Sequence, residues 1–520
     1  MGVAERIAKN TVFNFIATAM QLISGLVLSI VLARDLGTEQ YGTYAFFSWM
    51  ISLCGFAVNI GVGSMAQKYV AEASGRDNEQ EISGVIRIAA IGRIIACVLV
   101  TLIIIAMSSQ LTHIFHQNES FYFVIVGCIV LPQGLYLLAV AIYMGFQKFE
   151  YCALQELGSH VVFFIMAMIL AALGFGVRAL LSANLLSWIL ASVLGIFLVS
   201  RLTPLRKLLS GATLAKETKA KFLRFALASA GIVVVNYFLW QRFEVFFLGR
   251  YRSADEVGFY TLAWNLPSVA MALVPTVLAN VLMPSISEQF GKGDLVKLRA
   301  IYIGSARYLM MLAFPIAVVF IALAAPIVNL LYGASYHPVI ALMAIVTIPS
   351  AMYALTGACG AVTYGINEPG FIFKVGAVLA VLDVGINYLV IPRYGALGAA
   401  IGNSAVQVVY LPIMVWFVAT KIKALWPIVD GLRTLLASSV AGISLFAIYH
   451  YLGTAPALAL ALPVGGGLYW IGIVLFGALR HEDIDLLQRA QVAVPAPLRS
   501  NYRVFMRMTA RMVQARQSTW

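Results

Sequence analysis

RDLGTEQYGTY (Arg34–Tyr44) and RYRSADEVGFY (Arg250–Tyr260) lie 216 residues apart and align without a gap. Arg34 falls on Arg250, Glu39 on Asp255, Gly42 on Gly258 and Tyr44 on Tyr260. At the same offset Glu72 falls on Glu288, Gly75 on Gly291 and Arg76 on Lys292. Each stretch separates two apolar runs. Matches that recur at one offset, at equivalent points of two hairpins, read as a duplicated unit. The offset spans six apolar runs, an even number, so the two copies share one orientation.

Outward from these stretches the chain is almost continuously apolar. Hydrophobic residues make up 61% and charged residues 11% of 520 residues, and mean hydropathy is +0.90. No water-facing fold hides that much apolar surface, so the bilayer is the solvent. The runs are of helical span length and do not alternate, which favours helices over a barrel. They lie near 11–33, 42–66, 85–107, 121–146, 151–173, 177–200, 224–249, 257–283, 301–325, 338–363, 371–391, 395–420, 431–452 and 456–479. The expectation is an all-α membrane protein of about fourteen transmembrane helices. Two parallel six-helix lobes, related by a pseudo-two-fold axis, are followed by two further helices. In residue terms these are an N-terminal lobe (1–200), a basic linker (201–223), a C-terminal lobe (224–420), extra helices (421–479) and a basic tail (480–520).

The formal charge of +13 is explained by its placement. With these spans, 27 of the 35 Lys and Arg fall on the side of the N-terminus, 5 on the other side and 3 within spans. By the positive-inside rule both termini are cytoplasmic, and basic loops meeting anionic headgroups leave no call for nucleic acid. The loops on the other side are short, so no soluble domain is expected there. The N-terminal run reads as an uncleaved span rather than a signal peptide. The five cysteines sit in or beside apolar runs without a C-x-x-C, so neither a disulfide framework nor a zinc site is expected. His113 and His116 form H-x-x-H without a third ligand nearby, which argues against a metal site. In the tail, Arg499, Arg503, Arg507 and Arg511 recur every four residues with Val504, Met508 and Met512 interleaved. A basic helix on the membrane surface and a solvated tail both fit this pattern.

ARDLGTEQYGTYAF (33–46), SADEVGFYTLAWNLP (253–267) and NYLVIPRYGALGAAIGNS (387–404) make the chain resemble the polysaccharide flippases of the multidrug/oligosaccharidyl-lipid/polysaccharide (MOP) exporter superfamily. The resemblance implies two six-helix lobes opening alternately to each side of a bacterial inner membrane. It implies transfer of polyprenyl-diphosphate-linked oligosaccharide from the cytoplasmic to the outer leaflet for polysaccharide biosynthesis, such as lipopolysaccharide or exopolysaccharide. The protein is then a transporter and not an enzyme, without a cofactor, and a monomer suffices. Membrane lipids, a polysaccharide polymerase and a co-polymerase are the expected partners. The two extra helices resemble those of lipid II flippases, which help form a groove for the lipid tail.

A diphosphate crossing an apolar slab needs cationic partners, and the forked guanidinium suits phosphate oxygens. A charge near the bilayer centre is costly, so arginines within spans face a cavity or a partner, or snorkel to headgroups. These are Arg242, Arg307 and Arg93, the last two near-equivalent under the repeat. Arg34 and Arg250, at the outer ends of spans 1 and 7, either bind phosphate and gate the opening or cap helix ends. Asn14, with Asn10 and Gln21, follows one stripe of span 1, as a cavity lining or an interhelical hydrogen-bonding face does. Asp383 in span 11, with Asn387 one turn on, and Glu244 are candidates for coupling to H⁺ or Na⁺. A structural hydrogen bond or ion pair is the alternative for Asp383. In a continuous helix Arg242 and Glu244, two residues apart, do not share a face. Pro267 and Pro275 make span 8 a candidate bending element or a statically kinked one. Two other readings compete. A multidrug or small-molecule antiporter would share the lobes but want an acidic, aromatic cavity. A membrane polymerase or ligase would want a substantial outer loop, which is lacking.

Overall fold

The computed structural model describes the backbone of residues 3–117, 119–203, 216–240, 242–480, 482–484, 488 and 499–518. The side chains of 3–19, 216–219, 228, 232, 235, 236, 238–240, 273, 275–281, 500, 501, 503–505 and 514–518 are outside the description. Asn10, Asn14 and Pro275 therefore lie outside the described side chains, and most of the basic linker lies outside the described backbone.

Among the described residues the secondary structure is helical, without strands. Among the described residues, ten segments are long and apolar enough to cross a membrane. Two of them, Met20–Asn59 and Pro369–Ile422, hold 40 and 54 residues. At about 1.5 Å per residue, straight helices of that length would far exceed a hydrocarbon core of about 30 Å. Each is broken once, at Gly37 (φ 74°) and at Gly395 (φ 57°), in a backbone region that glycine enters without a Cβ penalty. Each long segment thus covers two of the expected spans, and the ten segments cover twelve. Spans 7 and 8 are helical as well.

In chain order the helices are α1 (Val3–Asn59), α2 (Val62–Gly75), α3 (Glu79–Ala106), α4 (Ser108–Ile114), α5 (Phe121–Gly145), α6 (Phe149–Ala172), α7 (Val177–Leu202), α8 (Lys216–Trp240), α9 (Glu244–Tyr251) and α10 (Ala254–Gly291). They continue as α11 (Leu295–Ala322), α12 (Ala324–Leu331), α13 (Pro338–Gly365), α14 (Pro369–Ile422), α15 (Ile428–Leu452), α16 (Thr454–Leu460), α17 (Gly466–Leu475) and α18 (Arg499–Ser518). Expected span 2 breaks at Ile60–Gly61, between α1 and α2. Expected span 7 breaks between α8 and α9. Expected span 14 holds a π-helical segment, Ala461–Gly465, around Pro463, whose missing N–H interrupts the regular ladder. α10 runs unbroken through Pro267 and Pro275.

The repeat reappears in the element boundaries. α2 ends at Gly75 and α10 at Gly291; α3 covers Glu79–Ala106 and α11 covers Leu295–Ala322, each 28 residues long. The start signals match as well. Asn78 Oδ1 accepts from Glu81 N at 3.1 Å, and Asp294 Oδ1 accepts from Lys297 N at 3.0 Å. Side-chain capping of an orphan helix N–H is thus built at the same offset in both copies. The i,i+4 ion pair Glu72–Arg76 likewise has its counterpart in Glu288–Lys292.

By packing, the chain forms two compact units, 1–262 with 376–399, and 263–375 with 400–520. This cut differs from the lobe boundaries drawn from the repeat. In the first unit α5 packs against α1, α2, α3 and α7. The α3 helix shows how burial is partitioned: Ile82, Val85, Ile86, Ala89, Arg93 and Cys97 face inward, while Ile94, Ile95, Val98, Leu99, Leu102 and Ile103 are exposed. An exposed apolar face of that length has lipid as its solvent. In the second unit α11 packs against α13 and α15.

Within the first unit the two repeat copies touch at equivalent residues. A Cβ placed on Gly258 would lie 3.1 Å from Gly42 Cα, and a Cβ on Gly42 would overlap the carbonyl oxygen of Ala254. Two glycines at the crossing let the backbones approach more closely than any side chain permits. Beside them, Arg252 donates to Ile391 O at 3.3 Å and to Arg393 O at 2.8 Å. Glu256 Oε2 accepts from Ala396 N at 2.6 Å, fastening the turn at Gly395 to the start of α10. Overpacking of this kind costs about 1–3 kcal/mol. Gly42→Ala should therefore lower the Tm in detergent or nanodiscs. Gly304→Ala, with nothing within 4 Å of the added Cβ, should leave it unchanged or raise it slightly.

Candidate functional site

The break in span 7 organises a buried polar cluster in the first unit. Arg242 sits between α8 and α9 with φ 46°, an uncommon conformation for a residue with a Cβ and one associated with functional sites. Helical bonding resumes with Val245 N donating to Arg242 O at 3.0 Å and Phe246 N to Phe243 O at 3.0 Å. Glu244 thereby becomes the first residue of α9, where the helix dipole favours a negative charge. The reasoning from a continuous helix, in which Arg242 and Glu244 face apart, fails here because the helix is not continuous. The guanidinium has Glu244, Tyr260, Tyr41 and Tyr237 within electrostatic reach.

Glu244 is 1% exposed, Asp383 2% and Asn387 0%. Glu244 lies within electrostatic reach of Tyr260 and of Asp383. The Asn387 side chain lies within hydrogen-bonding reach of the Asp383 carboxylate, and both side chains are buried. Two carboxylates and one guanidinium, taken ionised, leave one negative charge in a place that disfavours it. One cation or one proton restores neutrality. The structure thus brings together four of the residues singled out from the sequence: Arg242, Glu244, Asp383 and Asn387. The tyrosines of the cluster were missed, because a Tyr near a span end is ordinarily read as an interfacial residue.

The other arginines have separate surroundings. Arg93 is fully buried in the middle of α3 and donates from Nη2 to Asn59 Oδ1 at 2.6 Å. Asn59 is the last residue of α1 before the break in span 2, so the cation lies by the negative end of a helix. Arg34 is exposed. Arg250 is half-buried, and its Nη1 lies 3.0 Å from His116 Nε2. Pro267 is buried within α10.

Arg307 is enclosed in the second unit. Its Nη2 donates to Asp483 Oδ2 at 2.8 Å and to Ala478 O at 3.1 Å, and its Nε lies 3.6 Å from Asp430 Oδ2. Tyr308 donates to Asp483 Oδ1 at 2.7 Å, the backbone N–H of Arg480 to Asp483 Oδ2 at 2.7 Å, and the Arg480 guanidinium to Asp430 Oδ2 at 2.6 Å. Three helical pieces, α11, α15 and the segment after α17, are locked by one buried charge network. Sequence reasoning passed over Asp430 and Asp483 because each stands at the polar edge of an apolar run, where an acidic residue is unremarked. Removing one member of a buried pair costs about 3–5 kcal/mol, since the other charge is left unanswered. Asp483→Ala should lower the Tm by several degrees, and Arg307→Met combined with Asp483→Leu should recover part of the loss.

A protein family described as "Polysaccharide biosynthesis protein" matches residues 31–341. Among curated proteins of Haloferax volcanii, the chain is 20% identical to the probable flippase AglR, covering 90% of this chain and 95% of that one. It is 19% identical to the probable low-salt glycan biosynthesis flippase Agl15, covering 72% and 75%. Among solved structures, the lipid II flippase MurJ in an inward closed conformation superposes with a TM-score of 0.72 at 15% identity, over 89% of this chain and 98% of that one. An inward-facing multidrug resistance MATE transporter of the MOP superfamily follows at 0.62 and 16%, over 79% and 99%. These likenesses at low identity carry the fold, and the family match spans more than half of the sequence. The chain is a multi-pass membrane protein of the polysaccharide biosynthesis protein family, with the fold of the MOP superfamily transporters.

Proposed function

We propose that the chain is an alternating-access flippase that moves polyprenyl-diphosphate-linked oligosaccharide from the cytoplasmic to the outer leaflet of a bacterial inner membrane, coupled to H⁺ or Na⁺. Both termini are cytoplasmic in this reading, following the 27-to-5 distribution of basic residues. The relatives named as glycan and lipid II flippases support the substrate class. The observation that supports the coupling is the buried acidic cluster at the break in span 7, because discontinuous helices form substrate and ion sites in transporters.

The cluster suggests how binding of cation and substrate are linked. With the site empty, Glu244 and Asp383 hold the Arg242 charge by electrostatic attraction. A cation or proton taken up between the two carboxylates weakens that attraction and frees the guanidinium for a diphosphate oxygen. The short helix α9 carries Glu244 at one end and Arg250 at the other, with Arg252 following it. Gly249 lies against Phe46 so closely that a Cβ there would overlap the ring. A displacement of α9 at the carboxylate therefore reaches the crossing of Gly42 and Gly258. Arg34 and Arg250 supply positive charge at that end for the departing headgroup.

Vesicles loaded with labelled lipid-linked oligosaccharide, under imposed H⁺ or Na⁺ gradients, test this. Arg242→Ala should insert normally yet lose flux by tenfold or more. Asp383→Asn should retain some flux and lose its dependence on the gradient. Unchanged dependence on both ions in Asp383→Asn would remove the coupling site. Export of dye cations without movement of the labelled lipid would replace the flippase with the antiporter reading.

A further inference from the structure

We infer that α18 is a docking helix for the anionic headgroups of the leaflet at the tail end of span 14, held at headgroup depth by the spans themselves. The inner face of α18 is seated. Met506, Thr509 and Val513 are buried, Tyr502 and Ala510 are partly so, and Trp470 Nε1 donates to Thr509 Oγ1 at 3.2 Å. The apolar cluster they join includes Ile473 and Val474 of α17 and Ala478, Leu479 and Ile484 just beyond it. That is the end of the last span, which fixes where α18 lies along the membrane normal.

The outer face is of a different kind. Arg507 and Arg511 are exposed one turn apart, and beside them Met508 is 59% and Met512 37% exposed. α18 carries five arginines and no Asp or Glu. A purely solvated face would not need two large apolar side chains between its cations, and a purely lipid-facing one would not carry the cations. Alternating guanidinium and thioether stripes fit a plane where phosphate oxygens lie above acyl chains. Each arginine near such a surface adds attraction that falls off within a Debye length, so the contact is sensitive to salt. Ala478, Leu479 and Ile484, which flank Asp483 in sequence, belong to the apolar cluster that seats α18, so α18 is fastened to a segment held by Arg307 rather than trailing from the chain. This inference does not rest on the transported substrate.

The test uses the full chain in nanodiscs of zwitterionic lipid and of zwitterionic lipid mixed with phosphatidylglycerol, reading hydrogen exchange across 499–518. Phosphatidylglycerol should slow exchange there by about tenfold, with the effect lost at high salt. Arg507→Ala with Arg511→Ala should abolish the difference between lipids, and Arg507→Lys with Arg511→Lys should keep most of it. Equal exchange in both nanodiscs would overturn the inference. So would protection by a soluble acidic peptide that phosphatidylglycerol does not reproduce, which would assign the face to a protein partner. Loss of exchange protection at 466–484 in the alanine variant would report unseating of α18, and the lysine variant then decides the outcome alone.

Discussion

A charge inside hydrocarbon must be answered, and the structure is arranged around the answers. Water is not at hand to solvate a guanidinium or a carboxylate in a span, so each such group needs a partner of opposite sign, a helix terminus or a bound ion. Arg307 is answered by Asp430 and Asp483, with a tyrosine and two backbone groups completing the network. Arg93 is answered by Asn59 at the end of a broken helix. At the break of span 7 the Arg242 guanidinium lies within electrostatic reach of Glu244, which in turn lies within reach of Asp383. Arg307 and Arg93 each meet named partners, and Arg242 shares its surroundings with two acidic side chains, Glu244 and Asp383.

Backbone geometry serves the same end. A continuous helix satisfies its own hydrogen bonds and presents only side chains. Breaks at Gly37, Ile60–Gly61, the residues around Arg242, and Gly395 interrupt the helical ladder. At Arg242 the break also changes which neighbours a residue has. Two side chains two positions apart, which a regular helix would send to different faces, end in one cluster. Close approach at Gly42 and Gly258 works in the opposite sense, by removing side chains so that two repeat copies meet backbone to backbone.

The two units divide the labour differently. The first holds the cluster of Arg242, Glu244, Asp383 and Asn387, the glycine crossing and the clamp of Arg252 and Glu256 on the turn at Gly395. The second holds the closed network of Arg307 and the seat of α18. Glu244, Asp383 and Asn387 are nearly inaccessible to solvent, which is the setting in which a single proton or ion changes local energetics most.

Periodicity and composition pointed by themselves to a chain that lives in a bilayer, to helical stretches long enough to cross it, and to a repeat at an offset of 216, an offset matched by the boundaries of α3 and α11. These properties follow from local hydrophobicity and from distances along one strand of text, so one sequence suffices to read them. The sequence also marked Arg242, Glu244, Asp383 and Asn387, because a charge in an apolar run is conspicuous. Only tertiary structure decided the partners. Arg307 and Asp483 stand 176 positions apart, and nothing local to either says that they meet. Pairing across helices depends on crossing angles, on where a backbone breaks and on which faces pack inward, and these are properties of the assembled bundle.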